Sequence, residues 1–386
     1  MITRDDIREL ANFRSPEGCA VSFYYQPSTP LNKSHREEAI LVKDMIRGAV
    51  REAEKHGKNG TTREDLERIG NMLDPLHGSG KSKAIFACGK AGFWREFDVP
   101  GLLTSRVGVS QRFRLKPLAE VLDAEQRACI VLADRTKARV FGLVNDELTE
   151  KQDFINELTR RGKSAGFGGY DAGHAERKQM NEAMQHFKLI AEHIEQYFER
   201  RTHDRLLIGC RDDVWGEIEP QLQSQARQHL VGHFRIDPKL ATPEQVKQMA
   251  REQLAQYSAQ QKQGLIHEVV GEAHSNGRGA IGLRRVLRSL EQGEVLTLLL
   301  GANFSAPGVK CHNCGHMDLH VTPECAVCGK ENTPLEDLGD AIVGHAIRTG
   351  VELVHIPDDE EFDRIGRIAA LLRFRADQNT SAKAAS

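Results

Sequence analysis

No run of eighteen apolar residues occurs in this 386-residue chain, so the simplest sign of a membrane-spanning helix is missing. The opening stretch MITRDDIRELANF is charged where a secretory leader would be apolar, and a cytoplasmic protein is expected. Charge of one sign is also missing. Lys and Arg number 53 against 55 Asp and Glu, a formal net charge of -2. That balance excludes the whole-chain basicity of a nonspecific nucleic-acid coat, so any RNA contact must come from local patches. No serine or cysteine stands in a nucleophile-elbow context, and EHIEQ has the wrong residue order for a two-histidine zinc helix. The loop HGSGKSKA ends like a phosphate-binding loop in Gly80, Lys81 and Ser82. It lacks the first glycine, however, and precedes a strand rather than the helix that would hold a phosphate.

Cysteine is scarce outside one short segment. Cys19, Cys88, Cys129 and Cys210 stand singly in apolar surroundings and read as small core residues. Cys311, Cys314, Cys325 and Cys328 fall together in CHNCGHMDLHVTPECAVCGK, two C-x2-C pairs each followed by glycine. In a cytosolic chain this spacing indicates metal ligands rather than disulfides. Four soft thiolates suit tetrahedral zinc, or another tetrahedral metal, and the glycines permit the positive φ that turns backbone N–H groups toward sulfur. A full thiolate set leaves no open coordination position. The metal is therefore expected to be structural and to contribute about 10–16 kcal/mol of apparent binding free energy to folding. His312, His316 and His320 lie nearby and read as polar surface residues.

The length allows two to four domains. CAVSFYYQP predicts a strand, followed by a helix from Ser34 with Glu37 closing a capping box and Ile40, Leu41, Met45, Ile46 and Val50 forming its stripe. A helix in TREDLERIGNMLD and a strand in KAIFACG complete an α/β domain over 1–125. ACIVLADRTKARVFGLVNDEL is two strand segments around a turn at Asp134 to Lys137. Met180, Met184, Phe187, Ile190, Ala191, Ile194 and Phe198 then recur as one apolar helical stripe. A strand in DRLLIGC, a helix through VWGEIEPQLQSQA and a strand in LVGHFRID complete a central domain over 126–240. Thr242 caps a long helix with Pro243 in its first turn and Gln245 closing the box, and a third domain over 241–386 is expected to begin there. Its alternating helices and strands imply a largely parallel sheet, carrying the cysteine ribbon 309–332. The tail NTSAKAAS reads as disordered.

The stretch RRGKSAGFGGYDAGHAERK supplies three cations (Arg160, Arg161 and Lys163), five glycines, and a helix start near Asp171 with Arg177 and Lys178 in its opening turns. Close backbone approach beside cations favours a polyanion such as RNA, against the plainer reading of a mobile surface loop.

This Gly-Gly loop, the long amphipathic helix and LLIGCRDDVWGEIEPQLQSQARQHLVGHFRID together resemble the central domain of the archaeal and eukaryotic class-1 peptide-chain release factors. GAIGLRRVLRSLEQGEVLTLLLGANF, the four-cysteine ribbon after it and HAIRTGVELVHIPDDEEFDRIGRIAALLRFR look like the release factor and Pelota C-terminal domain, including the zinc ribbon of archaeal members. The resemblance covers roughly residues 126 to 376 and implies three α/β domains. The first domain matches poorly, as in the bacterial branch that includes the Balon type of ribosome hibernation factor.

In the release factors the loop reads Gly-Gly-Gln, and the glutamine helps place water at the peptidyl-tRNA ester. Here Gly168 and Gly169 match, and Tyr170 stands third. A phenol, neutral at pH 7 with a pKa near ~10, fills the volume of that water and is suited to stacking on a base, worth roughly 1–3 kcal/mol. LNKS matches the Asn-Ile-Lys-Ser codon-reading loop only superficially, and Ser34 is already accounted for as a helix cap. The resemblance therefore implies a monomeric, non-enzymatic factor that occupies the ribosomal A site without hydrolysing peptidyl-tRNA. Its loop, through Arg160, Arg161, Lys163, Gly168, Gly169, Tyr170, Arg177 and Lys178, would approach ribosomal RNA at the peptidyl-transferase centre. Its third domain would meet stalk elements or a translational GTPase such as elongation factor Tu. Hibernation or protection of ribosomes under stress is the expected purpose. Two alternatives stand beside it: an active rescue or release factor in which the loop backbone orients water, and a stress module that binds RNA or protein away from the ribosome.

Overall fold

The computed structural model describes residues 2–15, 17–27, 35–55, 61–72, 82–99, 104–123, 127–144, 147–151, 172–198 and 205–376. They form two units, one from Met1–Ala124 with Lys262–Ser386 and the other Glu125–Gln261.

The chain opens with α1 (Arg4–Asn12), which the sequence announces through a capping box. The Thr3 hydroxyl accepts from the Asp6 N–H at 3.2 Å, and Asp6 Oδ2 accepts from the Thr3 N–H at 2.7 Å. Next come β1 (Ala20–Tyr25), α2 (His35–Lys55), α3 (Thr61–Asn71), β2 (Ser82–Cys88), β3 (Phe93–Val99), β4 (Arg106–Ser110) and α4 (Lys116–Asp123). The four strands form an antiparallel sheet in the order β3-β2-β1-β4. Every residue of β1 is buried because both faces of the sheet are covered. Alternation sends Val21, Phe23 and Tyr25 toward Val42, Ile46, Leu66 and Ile69, while Tyr24 joins Phe86, Leu10 and Leu118 on the opposite face. Ile40 and Leu41 were expected in the stripe of α2 but are exposed. The buried stripe is Val42, Ile46 and Ala53, as the 100° advance per residue requires of positions spaced by three or four. The capping box expected at Ser34 lies outside the described residues.

The second unit holds β5 (Arg127–Ala133), β6 (Ala138–Val144), β7 (Glu147–Glu150), α5 (Ala172–Phe198), β8 (Arg205–Cys210), α6 (Asp212–Ile218), α7 (Ser224–His229) and β9 (Leu230–Arg235). The sheet runs β7-β6-β5-β8-β9. β7, β6 and β5 are antiparallel neighbours, whereas β8 and β9 add in parallel. Asp134 makes the expected hairpin turn by accepting the N–H groups of Thr136 and Lys137 at 2.6 and 2.8 Å. The single helix expected across VWGEIEPQLQSQA is broken by a short turn at Glu219–Gln221, where Pro220 lacks the N–H a continuous helix needs. On α5, Phe187, Ile190, Ala191, Ile194 and Phe198 are buried as expected. Met180 and Met184 are exposed, and Ala183 takes the buried position one turn before Phe187.

α8 (Pro243–His274) starts at the expected cap. Gln245 N–H donates to the Thr242 hydroxyl at 3.3 Å, and Thr242 N–H donates to Gln245 Oε1 at 3.0 Å. The division between the two units falls inside this helix. After it come β10 (Gly279–Ile281), α9 (Leu283–Glu291), β11 (Val295–Gly301), β12 (Gly308–Cys311), β13 (Met317–Asp318), β14 (Asn332–Leu335), α10 (Leu338–Thr349), β15 (Glu352–Ile356), α11 (Glu360–Arg364) and β16 (Ile368–Leu372). The main sheet, β10-β16-β11-β15, is mixed rather than largely parallel. Only the β11–β15 pairing is parallel: β10, β11 and β15 run the same way, and β16 alone is reversed, lying between β10 and β11 antiparallel to both. Element alternation fixes the presence of crossovers but not the direction of the last strand.

The N-terminal and C-terminal segments of the first unit share a core. Leu10, Leu115 and Leu118 pack in one cluster with Leu298, Leu300, Ile342, Val343 and Ala346. Polar contacts line the same junction. Lys116 Nζ donates to the Phe304 carbonyl and lies 3.6 Å from Asp337, and Arg114 Nε is 4.0 Å from Asp340. The tail after residue 376 lies outside the described residues.

Candidate functional site: a four-thiolate ribbon and the helix behind the glycine loop

β12, β13 and β14 form a small antiparallel sheet whose turns carry the four clustered cysteines. Each C-x2-C-Gly stretch closes in the same way. Cys311 N–H donates to the His316 carbonyl at 2.8 Å and Gly315 N–H to the Cys311 carbonyl at 3.0 Å. In the second stretch Cys325 N–H donates to Lys330 at 2.8 Å and Gly329 N–H to Cys325 at 2.9 Å. Gly315 and Gly329 have φ of +82° and +65°, a conformation that makes these tight knuckles accessible to glycine and strained for other residues.

The knuckles bring all four Sγ atoms within 4.8 Å of one another. Cys311 and Cys328 are 3.4 Å apart, and Cys314 and Cys325 are 3.6 Å apart. Zinc–sulfur bonds of about 2.3 Å in a tetrahedron put the sulfurs roughly 3.8 Å from each other, so the donor set and its spacing fit such an ion. The surroundings favour thiolate at Cys328 and Cys311, whereas at Cys314 the pull of the His316 N–H is outweighed by burial and the neighbouring sulfurs, which push that thiol up to about 12. Lys330 N–H, and after it the Asn313 amide at 3.6 Å, bring the Cys328 thiol down to about 6, and Cys314 N–H lowers Cys311. Elsewhere burial pushes the lone Cys210 up to about 12, which keeps it an inert thiol.

The three histidines of the ribbon have partners other than the thiolate cluster. His316 Nδ1 lies 2.7 Å from Glu291 Oε1, His320 Nδ1 lies 3.1 Å from Asp318 Oδ1, and His312 Nδ1 lies 3.4 Å from the Glu331 carbonyl. Glu291, at the end of α9, also accepts the Met317 N–H at 3.0 Å and so clamps the ribbon to the domain. Sequence reasoning missed Glu291 and Asn313, since neither lies in a motif. The Thr-x-x-Asp box at Thr3 was a legible signal for α1 that also went unread.

Of the residues expected to touch RNA, Arg160, Arg161, Lys163, Gly168, Gly169 and Tyr170 lie outside the described residues. Arg177 and Lys178 fall in α5, and their side chains lie outside the description as well. What is described is the support behind them. Ala183, Phe187, Ile190, Ile194 and Phe198 seat α5 against Val131, Leu206 and Ile208 of the sheet, and Phe198 stacks on His229 with ring centroids 4.5 Å apart. Glu195 accepts from Gln225 and Ala226 N–H groups, both at 3.1 Å, fixing α7 to the same helix. Among the described residues no helix is long and apolar enough to cross a membrane.

Residues 114–256 match the family described as Bacterial archaeo-eukaryotic release factor family 10, a span that includes almost all of the second unit. Similar solved structures include Archaeoglobus fulgidus Pelota, 11% identical over 97% of this chain and 93% of that one with a TM-score of 0.34. S. cerevisiae Dom34, a translation termination-like factor, is 12% identical over 78% and 83% with a TM-score of 0.38. The C-terminal domain of a peptide chain release factor from Methanosarcina mazei is 23% identical over 34% and 92% with a TM-score of 0.26. Likeness at this level carries no functional weight, and the match at residues 114–256 stands by itself. No curated protein matches the chain.

Proposed function

We propose, from the family match over residues 114–256, that this chain is a ribosome-associated translation factor of the release factor/Pelota superfamily. The family match over the central unit is the observation that carries the reading. The finer proposal is occupancy of the ribosomal A site without hydrolysis of peptidyl-tRNA, in the service of ribosome hibernation or protection under stress. It is supported by the sequence Gly168-Gly169-Tyr170, which keeps the two glycines needed for close main-chain approach and replaces the water-orienting amide with a phenol. Zinc held by Cys311, Cys314, Cys325 and Cys328 would be structural, since four protein ligands leave it no position for substrate. A translational GTPase is a candidate partner for the third domain.

Co-sedimentation with purified 70S ribosomes tests the first part, and a protein that stays in the supernatant overturns it. Release of labelled peptide from stalled complexes tests the second. The retained Gly168 and Gly169 favour one competing reading, an active rescue factor whose loop backbone orients water. Turnover that survives Tyr170→Ala but collapses when the two glycines are replaced by valine would select it.

A further inference from the structure

Four cationic side chains converge where the N-terminal and C-terminal segments of the first unit meet. Arg14 follows α1, Arg112 follows β4, Lys310 lies on β12, and Arg348 lies in the last turn of α10. Arg112 Nη1 donates to the carbonyls of Ala11 and Phe13, both at 3.2 Å, and Arg348 Nη1 donates to the same Ala11 carbonyl at 3.4 Å. A shared acceptor holds the two guanidinium groups side by side. Arg14 Nη2 donates to the His312 carbonyl at 2.9 Å, which brings its guanidinium to the end of β12, two residues beyond Lys310.

Other cations of this junction have acids: Arg114 has Asp340, Lys116 has Asp337 and Lys262 has Asp123. Among the described residues none of the four clustered cations has a carboxylate within 4.0 Å. Their mutual repulsion adds to the effect of burial. Burial and then Arg112 bring Arg348 down to about 10, and burial followed by Arg14 lowers Arg112.

A plain structural account covers part of this. Arg112 and Arg348 satisfy the last carbonyls of α1, whose C-terminal end carries only about half a negative charge. A divalent ion in four thiolates adds about two formal negative charges. Lys310, however, neighbours Cys311 along β12, and strand alternation sends the two side chains to opposite faces. Four cations exceed both sources together. Arg112 and Arg348 engage carbonyls through Nη1 alone, and Arg14 through Nη2 alone, so each guanidinium retains N–H donors with no protein acceptor among the described residues. Arg14 is exposed, and the other three are partly exposed.

We propose that Arg14, Arg112, Lys310 and Arg348 form a phosphate-binding site that seats a backbone phosphate of RNA. Guanidinium forks beside one compact ammonium match the several oxygens of a single phosphate, a geometry that an extended row of carboxylates does not share. The assignment of the phosphate to RNA rests on the ribosome-associated reading above; the anion site itself does not.

Lys310→Met and Arg14→Gln remove charge without removing the carbonyl bonds made by Arg112 and Arg348, and both are tested in the full-length, metal-loaded protein. Inorganic phosphate is expected to raise the wild-type unfolding temperature more than chloride at matched ionic strength, and both variants to shrink that increment. Equal increments in wild type and variants overturn the site. In buffer without phosphate, Lys310→Met is expected to be at least as stable as wild type because an unpaired charge is removed; a clear loss of stability would assign Lys310 a structural role and also overturn the site. In graded-salt sedimentation with ribosomes, each variant is expected to bind about 3–30-fold more weakly, with a log–log salt slope shallower by roughly one. If wild type binds ribosomes and the variants match it in affinity and slope, the RNA assignment fails while the ribosomal reading stands. If wild type does not sediment, the ribosomal reading and the RNA assignment fail together, and the phosphate titration still decides the anion site. A phosphate effect without a ribosomal one transfers the site to another phosphorylated partner.

Discussion

Lys262 Nζ donates a 2.9 Å hydrogen bond to Asp123 Oδ2, binding the first residue of the C-terminal segment of its unit to the last residue of α4. The pair is closed by backbone. Lys262 also donates to the His355 carbonyl at 2.7 Å, and His355 N–H donates to Asp123 Oδ2 at 3.1 Å. Three elements distant in sequence therefore meet on one ion pair whose side chains are about a fifth exposed or less.

Asp123→Ala strands the Lys262 ammonium and a β15 N–H together. Because the pair retains some solvent, the cost should be on the order of 2 kcal/mol rather than the full penalty of an orphaned buried charge. Denaturant titration should show it as a lower midpoint, with metal content unchanged.

His355 gives the fold an acid limit. Burial, which outweighs the attraction of Asp123, takes this imidazole from an ordinary 6.5 down to about 4, and neither ring nitrogen has a partner among the described residues. A folded-state value below the unfolded one means the unfolded chain binds the proton first. The stability contribution is complete above pH 6.5 and is lost as pH falls toward 4. His355→Leu should flatten that limb of the stability–pH curve, measured by thermal unfolding at fixed ionic strength.

Cys325→Ser should abolish bound zinc, read by elemental analysis, and raise amide exchange through residues 308–335. The loss draws on about 10–16 kcal/mol of apparent metal-binding free energy. β5 to β9 should keep their protection, because none of their strands pairs with the ribbon.

Gly279→Ala should destabilise the first unit by about 1–3 kcal/mol. A Cβ there would stand under 3.0 Å from the backbone of Val269 and Ala273 in α8, and main-chain atoms cannot turn aside as side chains do. Chemical denaturation of the variant measures the effect.

At the glycine loop, Tyr170→Ala should weaken ribosome binding roughly 5–150-fold if the ring stacks on a base worth about 1–3 kcal/mol. Sedimentation binding curves measure it, with a Tyr170→Phe control expected to retain most of the affinity.

Short-range information is legible in the sequence. The Thr242–Gln245 box starts α8, Asp134 turns the β5–β6 hairpin, and the spacing of Cys311, Cys314, Cys325 and Cys328 brings four sulfurs together. Each depends on residues a few positions apart, or on a motif whose chemistry dictates its own closure. Misreadings arose where a pattern permits two outcomes. In α2 and α5 the apolar positions are wider than the face a neighbouring element covers, which leaves Ile40, Leu41, Met180 and Met184 exposed while Val42 and Ala183 are buried beside them.

The sequence by itself determined where helices and strands lie and which thiols can share an ion, because backbone capping, periodicity and ligand spacing act within a few residues. Tertiary structure alone decided that β16 returns antiparallel between β10 and β11, and that Leu10 and Leu118 share a core with Leu298 and Ile342. It also decided that Arg14 and Arg112 meet Lys310 and Arg348 without an acid among them. Such pairings are chosen by burial and charge between segments far apart along the chain, and no local pattern records that competition.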